Sequence, residues 1–371
     1  MNILRRTALV LAAPVLAIVV AGVLTSIVLL TVGDSPAAFW ETMLSWPENR
    51  SLVNIINEAS VLYLSGLAAA VGFRMNLFNI GVEGQYRVAT FAAALFAAQA
   101  FLPGVLNTVA TIMVAMLAGA AWAGIAAVLR VTRGVSEVIS TIMLNAIAVS
   151  MVAYLLRKTG SREGQTIVTD TIPESSWVPG IPLLPDSVTD VYGLAILAVI
   201  AGVAFSVVLN RTRFGFDLRA TGGSESAAVA SGVNVKRMVI YSMLLSGAVA
   251  GLIGLPNLFG VSHNYGSTIQ TGIGFAGIAV ALLGRNHPLG IAGGALIFAY
   301  LSEQANPLGI LAGISPEIIA VMQGVVVLCV VIAYEVVRRY RDRLEQRSVA
   351  EALDASGPSG SGGSSTKEVT A

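Results

Sequence analysis

Residues 105–129 read VLNTVATIMVAMLAGAAWAGIAAVL, with no charged side chain anywhere in the run. A helix needs about 20 consecutive, mostly apolar residues to cross the hydrocarbon core of a bilayer. This stretch is therefore read as a membrane span. Comparable runs lie on both sides of it: Thr7–Val32, Val53–Phe73, Phe78–Leu102, Glu137–Leu156, Val191–Leu209, Met238–Leu258, Gly272–Leu283, Leu289–Leu301 and Pro316–Tyr334. The predicted fold class is all-α, a polytopic transmembrane helix bundle of about ten spans (eight to ten). The runs at Gly272–Leu283 and Leu289–Leu301 are short for a crossing, and Gly272, Gly274, Gly277, Gly293 and Gly294 interrupt them. Broken or re-entrant helices are tolerable there if protein surrounds them.

Composition points the same way. The 371 residues are 55% hydrophobic and 12% charged, with a mean hydropathy of +0.78. A soluble domain is nearer a quarter charged, because its surface faces water. A net charge of +1 gives no reason to expect a nucleic-acid polymer as partner. One cysteine, Cys329, allows no disulfide or cysteine-based metal site within the chain. The two histidines, His263 and His287, fall far apart in connections and read as loop or cap residues. No G-x-x-x-x-G-K-[ST] loop occurs, so ATP binding by this chain is not expected. With no Ser-His-Asp arrangement and no paired-carboxylate motif, no catalytic residue, metal or cofactor is expected, and an enzyme is disfavoured.

Lys and Arg fix an orientation. Arg5, Arg6, Arg74, Arg130, Arg133, Arg211, Arg213, Arg219, Lys236, Arg237 and Arg285 fall in alternate connections, and Arg338 to Arg347 follow the last span. The intervening connections hold Arg50, Arg157, Lys158 and Arg162. Positive residues favour the cytoplasmic side, so both termini are expected there. The first apolar run, about 26 residues, is too long for the core of a cleavable signal, so it is read as a retained span. Residues 1–347 then form the membrane domain, with an external loop at about 157–190 and a cytoplasmic stretch at about 213–237. Residues 348–371 end in Ser-Gly repeats and are expected to be disordered.

Three polar segments interrupt the apolar pattern. In the first, Asn76 to Gln85, Gly81 and Gly84 flank Glu83. Each glycine weakens a helix by about 1 kcal/mol relative to Ala, and Asn79, Glu83 and Gln85 can satisfy the freed backbone. The segment reads equally as a gate or pathway element and as a capped helix start with Glu83 at the positive end of the dipole. In the second, Ser136 or Ser140 caps or lines the fifth span and Glu137 sits at its mouth. Asn145, deeper in that span, needs a polar partner, either a neighbouring helix or a solute. The third segment holds a short helix, Glu225 to Ala230, with Ser224 as N-cap and Gly232 just past its end. A partner-docking helix and a plain connector both remain open for it.

The segments FNIGVEGQ, SEVISTIMLN, LRATG…SAAVASGVNVKR and GFAGIAVALLGRNHPLG together resemble permeases of ATP-binding cassette importers. More narrowly, they resemble the sugar and nucleoside branch served by a basic-membrane-protein-type receptor. The likeness covers about Asn54 to Tyr334. It implies a multi-pass protein of a bacterial-type plasma (inner) membrane whose partners are cytosolic ATPase subunits, a second permease subunit, often a different chain, and an external substrate-binding protein. It further implies that Glu225, Ser226, Ala227, Ala228, Val229, Ala230 and Ser231 couple to the ATPase, and that the Asn76–Gln85 segment, with Asn79, Gly81, Gly84 and Gln85, belongs to the gate or pathway, while it assigns Glu83 in that segment no settled role. Import, and nucleosides over simple sugars, rest on the same likeness.

For the solute, Asn54, Asn57 and Glu58 are the first candidates, since Asn54 and Glu58 share a helix face at i,i+4. Asn145 follows, and Gln270 and Glu303 come after it. The competing reading for Glu58 is a solvated interface carboxylate. The competing function is an ion-coupled secondary transporter, which would hold Na⁺ or H⁺ on midplane carboxylates or broken helices. A purely structural membrane protein is the third reading.

Overall fold

The computed structural model describes residues 19–185, 187–266 and 268–355. The start of the run Thr7–Val32 and the tail beyond Ala355 lie outside the described residues. Apolar runs become helices throughout. They are α1 (Val19–Val32), α2 (Pro36–Leu44), α3 (Asn49–Phe73), α4 (Val82–Ala98), α5 (Val105–Arg133), α6 (Glu137–Thr159), α7 (Ile196–Arg211), α8 (Arg213–Gly223), α9 (Glu225–Ala230) and α10 (Val235–Ala250). After them come a single turn α11 (Leu255–Asn257), α12 (Ile273–Leu283), α13 (Pro288–Glu303), a second single turn α14 (Ala305–Pro307) and the long α15 (Glu317–Ala355). The all-α expectation needs one amendment. Strands β1 (Ser161–Glu163) and β2 (Thr166–Val168) pair antiparallel in the loop after α6.

Among the described residues, six helical stretches are long and apolar enough to cross a membrane. They are Asn49–Phe73, Val105–Arg133, Glu137–Thr159, Gly193–Arg211, Val235–Ser262 and Glu317–Val337. The other four expected spans are shorter or partly outside the description. The run read as Phe78–Leu102 is helical only over the 17 residues of α4, because Asn76 turns the chain at φ 58° and the helix starts at Val82. α12 and α13 have 11 and 16 residues. At 1.5 Å per residue these fall short of a hydrocarbon core of about 30 Å. α12 packs mainly against α3 and α13. α15 continues through 348–355, where SVAEALDA is rich in helix formers.

α3 is the central post. Leu64, Leu67, Ala68, Ala69 and Ala70 on it are fully buried. Its neighbours approach through small residues. A methyl at Gly277 on α12 would stand 1.9 Å from the Ser65 hydroxyl, and one at Gly247 on α10 would stand 2.3 Å from the Gly119 carbonyl on α5. Such close backbones are how helices gain packing energy where no hydrophobic effect drives them together.

Two ends can be told apart by what gathers there. At the basic end, Arg74 Nε donates to the Asn286 carbonyl at 3.0 Å, and α8 presses its Gly222 against the Arg74 backbone. At the opposite end, the loop after α6 runs beside residues 259–265. There the amides of Thr169, Ile172 and Val178 donate to the carbonyls of Tyr265, His263 and Phe259. Trp177 stacks on His263 with ring centres 3.7 Å apart and planes 9° from parallel. The proline-rich connection is therefore a structured cover over that end.

Candidate functional site

Beneath that cover lies a polar cavity of about 180 Å³ inside the bundle. α3 supplies Asn54, Asn57 and Glu58, which fall on one face because they are three and four positions apart. Tyr86 comes from α4, Tyr192 precedes α7, Asn257 ends α11, Gln270 lies before α12, and Glu303 ends α13. The sequence therefore placed Asn54, Asn57 and Glu58 together as the structure has them, and Gln270 and Glu303 join them.

The side chains divide into braces and free groups. Asn57 is a brace: its Nδ2 donates to the Asp190 carbonyl at 3.0 Å and its Oδ1 accepts the Tyr192 amide at 2.8 Å. Asn54 Nδ2 donates to Glu303 Oε1 at 3.0 Å, which ties α3 to the end of α13. Tyr86 donates its hydroxyl to the Gln270 carbonyl at 2.7 Å. Behind Glu58 stands Ser302, whose hydroxyl accepts from Gln323 on α15. The buried Oδ1 of Asn257 has no hydrogen-bond partner among the described residues. Among the described residues, no Lys or Arg lines this cavity. It presents carboxylate and amide oxygens, so it favours a solute rich in O–H and N–H donors.

Tyr86, Tyr192 and Asn257 were missed in the sequence. Asn257 had a usable signal, since Pro256 and Asn257 interrupt an apolar run. Tyr86 and Tyr192 had none, because only the long-range fold brings them to α3.

One turn below Tyr86 is a second polar cluster. Asn79 Nδ2 donates to Ser246 Oγ at 2.8 Å and to Gln85 Oε1 at 3.1 Å. Its Oδ1 accepts the Gly81 amide at 3.0 Å and Gln85 Nε2 at 3.0 Å. Asn145 on α6 accepts the Gly84 amide at 2.9 Å and donates to the Ile80 carbonyl at 2.9 Å. A side chain at Gly84 would collide with Asn145 Oδ1, 2.8 Å from where its first carbon would sit. The structure thus places Asn145 with Asn79, Gly81, Gly84 and Gln85, away from Asn54 and Glu58. Glu83 caps a helix, although not its own. Its carboxylate accepts the amides of Gly272 and Gly274 at the start of α12, and also Arg87 Nε. Ile273, between those two glycines, lines the cavity, so the cluster holds the cavity floor in place.

At the start of α6, Ser136 is the N-cap residue but its side chain makes no capping bond. Glu137 pairs instead with Arg130 across the turn from α5.

At the basic end, α9 spans Glu225–Ala230 as its sequence indicates, with Ser224 Oγ accepting the Ala227 amide at 3.3 Å. Gly232 at φ 82° turns the chain out of the helix. Glu225, Ser226, Ala227, Val229, Ala230 and Ser231 are exposed and Ala228 is buried. Val229, 62% exposed, stands up from an otherwise small-residue face.

Known proteins share this sequence across most of its length. A nucleoside ABC transporter permease protein of Lactococcus lactis subsp. cremoris is 33% identical over 335 residues, covering 86% of this chain and 90% of that protein. A guanosine ABC transporter permease protein of Bacillus subtilis is 33% identical over 331 residues, covering 87% and 93%. A glucose ABC transporter permease protein of Haloferax volcanii is 31% identical over 344 residues, covering 88% of each. Residues 51–331 match the family described as branched-chain amino acid transport system / permease component. Because that match takes in nearly the whole bundle from α3 into α15, the chain belongs to this family of transport permeases.

Proposed function

We propose that this chain is the permease subunit of an ATP-binding cassette importer in a bacterial-type plasma (inner) membrane, and that it translocates nucleosides or related simple sugars. The observation that carries this reading is the cavity between α3, α4 and α13. Its carboxylates and amides accept hydrogen bonds from ribose hydroxyls and base N–H groups, and the half-buried ring of Tyr192 lines the same space. Stacking of a base on such rings contributes about 1–3 kcal/mol. Relatives named for nucleosides and guanosine support the same solute class, and one named for glucose fits the hydroxyl-binding part of it.

The basic end is taken as cytoplasmic by the charge rule, with both termini on that side. The cavity then faces outward, where an external binding protein delivers solute. Asn79, Gly81, Glu83, Gly84, Gln85 and Asn145 form the inner rim of the pathway. A second permease subunit, a different chain, closes its other side. The exposed face of α9 docks a separate ATPase, since this chain has no phosphate loop of its own. For ATP to drive transport, the ATPase must contact α9 differently in its open and closed states.

The test is uptake of labelled guanosine and labelled glucose by cells co-expressing the chain with its ATPase, partner permease and binding protein. Saturable guanosine uptake that stops when the ATPase is inactivated is expected. Uptake that survives ATPase inactivation and follows an ion gradient would overturn the assignment.

A further inference from the structure

The basic end holds another cavity, of about 660 Å³, walled by α8, α9 and the first turns of α10. Its charged lining is three arginines, Arg213, Arg219 and Arg237, against one aspartate, Asp217. Arg213 lies just past the membrane-length stretch that ends at Arg211, and Arg237 lies in the first turn of the one that starts at Val235. Both therefore stand at the level of phospholipid headgroups. Tyr241, one turn further along α10, and Phe216 line the same cavity and are 53% and 62% exposed. Aromatic rings of this kind favour the membrane–water interface.

Among the described residues lining the cavity, the arginines outnumber the aspartate three to one. One guanidinium nitrogen of Arg219 is buried and has no hydrogen-bond partner among the described residues. Arg74, in the turn against α8, has its pKa held below the ordinary arginine value by burial first and by the charge of Arg219 second. Buried polar groups are rarely left unpaired. α9 also separates two roles. Ala227, Ala228 and Ser231 line the cavity, whereas Glu225, Ser226, Val229 and Ala230 are exposed without lining it. A protein seated on the second set leaves the cavity to another occupant.

We propose that this cavity binds the phosphate of an anionic phospholipid, held by Arg213, Arg219 and Arg237. Basic pockets at the cytoplasmic ends of membrane helices take such headgroups, and guanidinium matches phosphate with paired hydrogen bonds. The proposal rests on the membrane reading of the bundle and on neither the solute nor the ATPase.

The experiment is native mass spectrometry of the purified full chain, released from nanodiscs containing equal phosphatidylglycerol and phosphatidylcholine. Phosphatidylglycerol retention of roughly tenfold over phosphatidylcholine is expected from the excess of arginine over aspartate. The triple variant Arg213→Gln, Arg219→Gln, Arg237→Gln should lose that preference. Asp217→Asn, which keeps every arginine, should raise it. Excess inorganic phosphate should leave it unchanged. Equal retention of the two lipids, an unaltered preference in the triple variant, or displacement by inorganic phosphate would each overturn the proposal. Expulsion of the lipid on adding the ATPase subunit would do the same, by assigning the cavity to a protein.

Discussion

Glu83 on α4 accepts the backbone amide of Gly274 on α12 at 2.8 Å, across 191 residues of sequence. Its other oxygen takes the Gly272 amide at 3.0 Å and Arg87 Nε at 2.7 Å. The first amides of a helix lack intrahelical acceptors, and an anion beside them is favoured by the helix dipole. α12 is too short to cross a bilayer unaided, so this staple fixes where its broken end lies. Glu83→Ala would strand two amides and a partly buried guanidinium, a loss of about 3 kcal/mol. A lowered thermal midpoint of the detergent-purified chain is expected, with a smaller drop for Glu83→Gln, which keeps the shape. Equal midpoints for wild type and both variants would rule out the staple.

That contact also marks how far the sequence could be read. The sequence left Glu83 open between a helix cap and a gate element, since Gly81 and Gly84 flank it at the head of an apolar run. Which helix it capped depended on folding over long distances. The same division holds for the cavity. Asn54 and Glu58 share a face by helical periodicity alone, but Tyr192 reaches them only because Asn57 clips the chain before α7. α9 was legible down to its cap and its terminal glycine, since both signals act within a few residues. The extent of α4 was not. A left-handed Asn76 and the side-chain bonds of Asn79 delay that helix, and hydropathy is blind to both.

The Trp177–His263 stack should respond to acid. Burial lowers the His263 pKa from its ordinary 6.5, so the folded state favours the neutral ring. The contribution of the stack is then full above that value and declines as pH falls below it, because the unfolded chain takes up the proton more readily. In a variant with Trp40, Trp46 and Trp122 replaced by Phe, Trp177 emission should change between neutral and mildly acidic pH. With His263→Phe as well, the change should vanish. A pH response of equal size in the His263→Phe protein would assign it to another group.

Replacing residues 225–230 with a Gly/Ser linker should abolish co-purification of the ATPase while membrane insertion and yield stay normal. Val229→Asp is the sharper probe, since it alters only the exposed side chain that projects from the face. A charge placed in a packed apolar contact is expected to weaken association by at least tenfold. Undiminished co-purification of the linker variant would remove α9 from the docking surface and leave α8 or the turns beside it as the contact.

Glu58 decides whether the cavity is a solute site or a structural polar pocket. Asn57 and Asn54 are already committed to the Asp190 carbonyl and to Glu303, so their loss would disturb the scaffold along with any solute contact. Glu58 borders the same space with a carboxylate that Ser302 does not exhaust, since it can accept several hydrogen bonds. Loss of a hydrogen bond to a buried group costs about 1–3 kcal/mol, which corresponds to about tenfold in affinity. Glu58→Gln should therefore raise the KM for uptake by roughly that factor while expression and thermal midpoint stay near wild type. Asn57→Ala, by contrast, should lower the midpoint as the link to Tyr192 is lost. If Glu58→Gln transports with unchanged KM, the carboxylate is a bystander, and solute recognition must lie with Tyr192 and with Glu303.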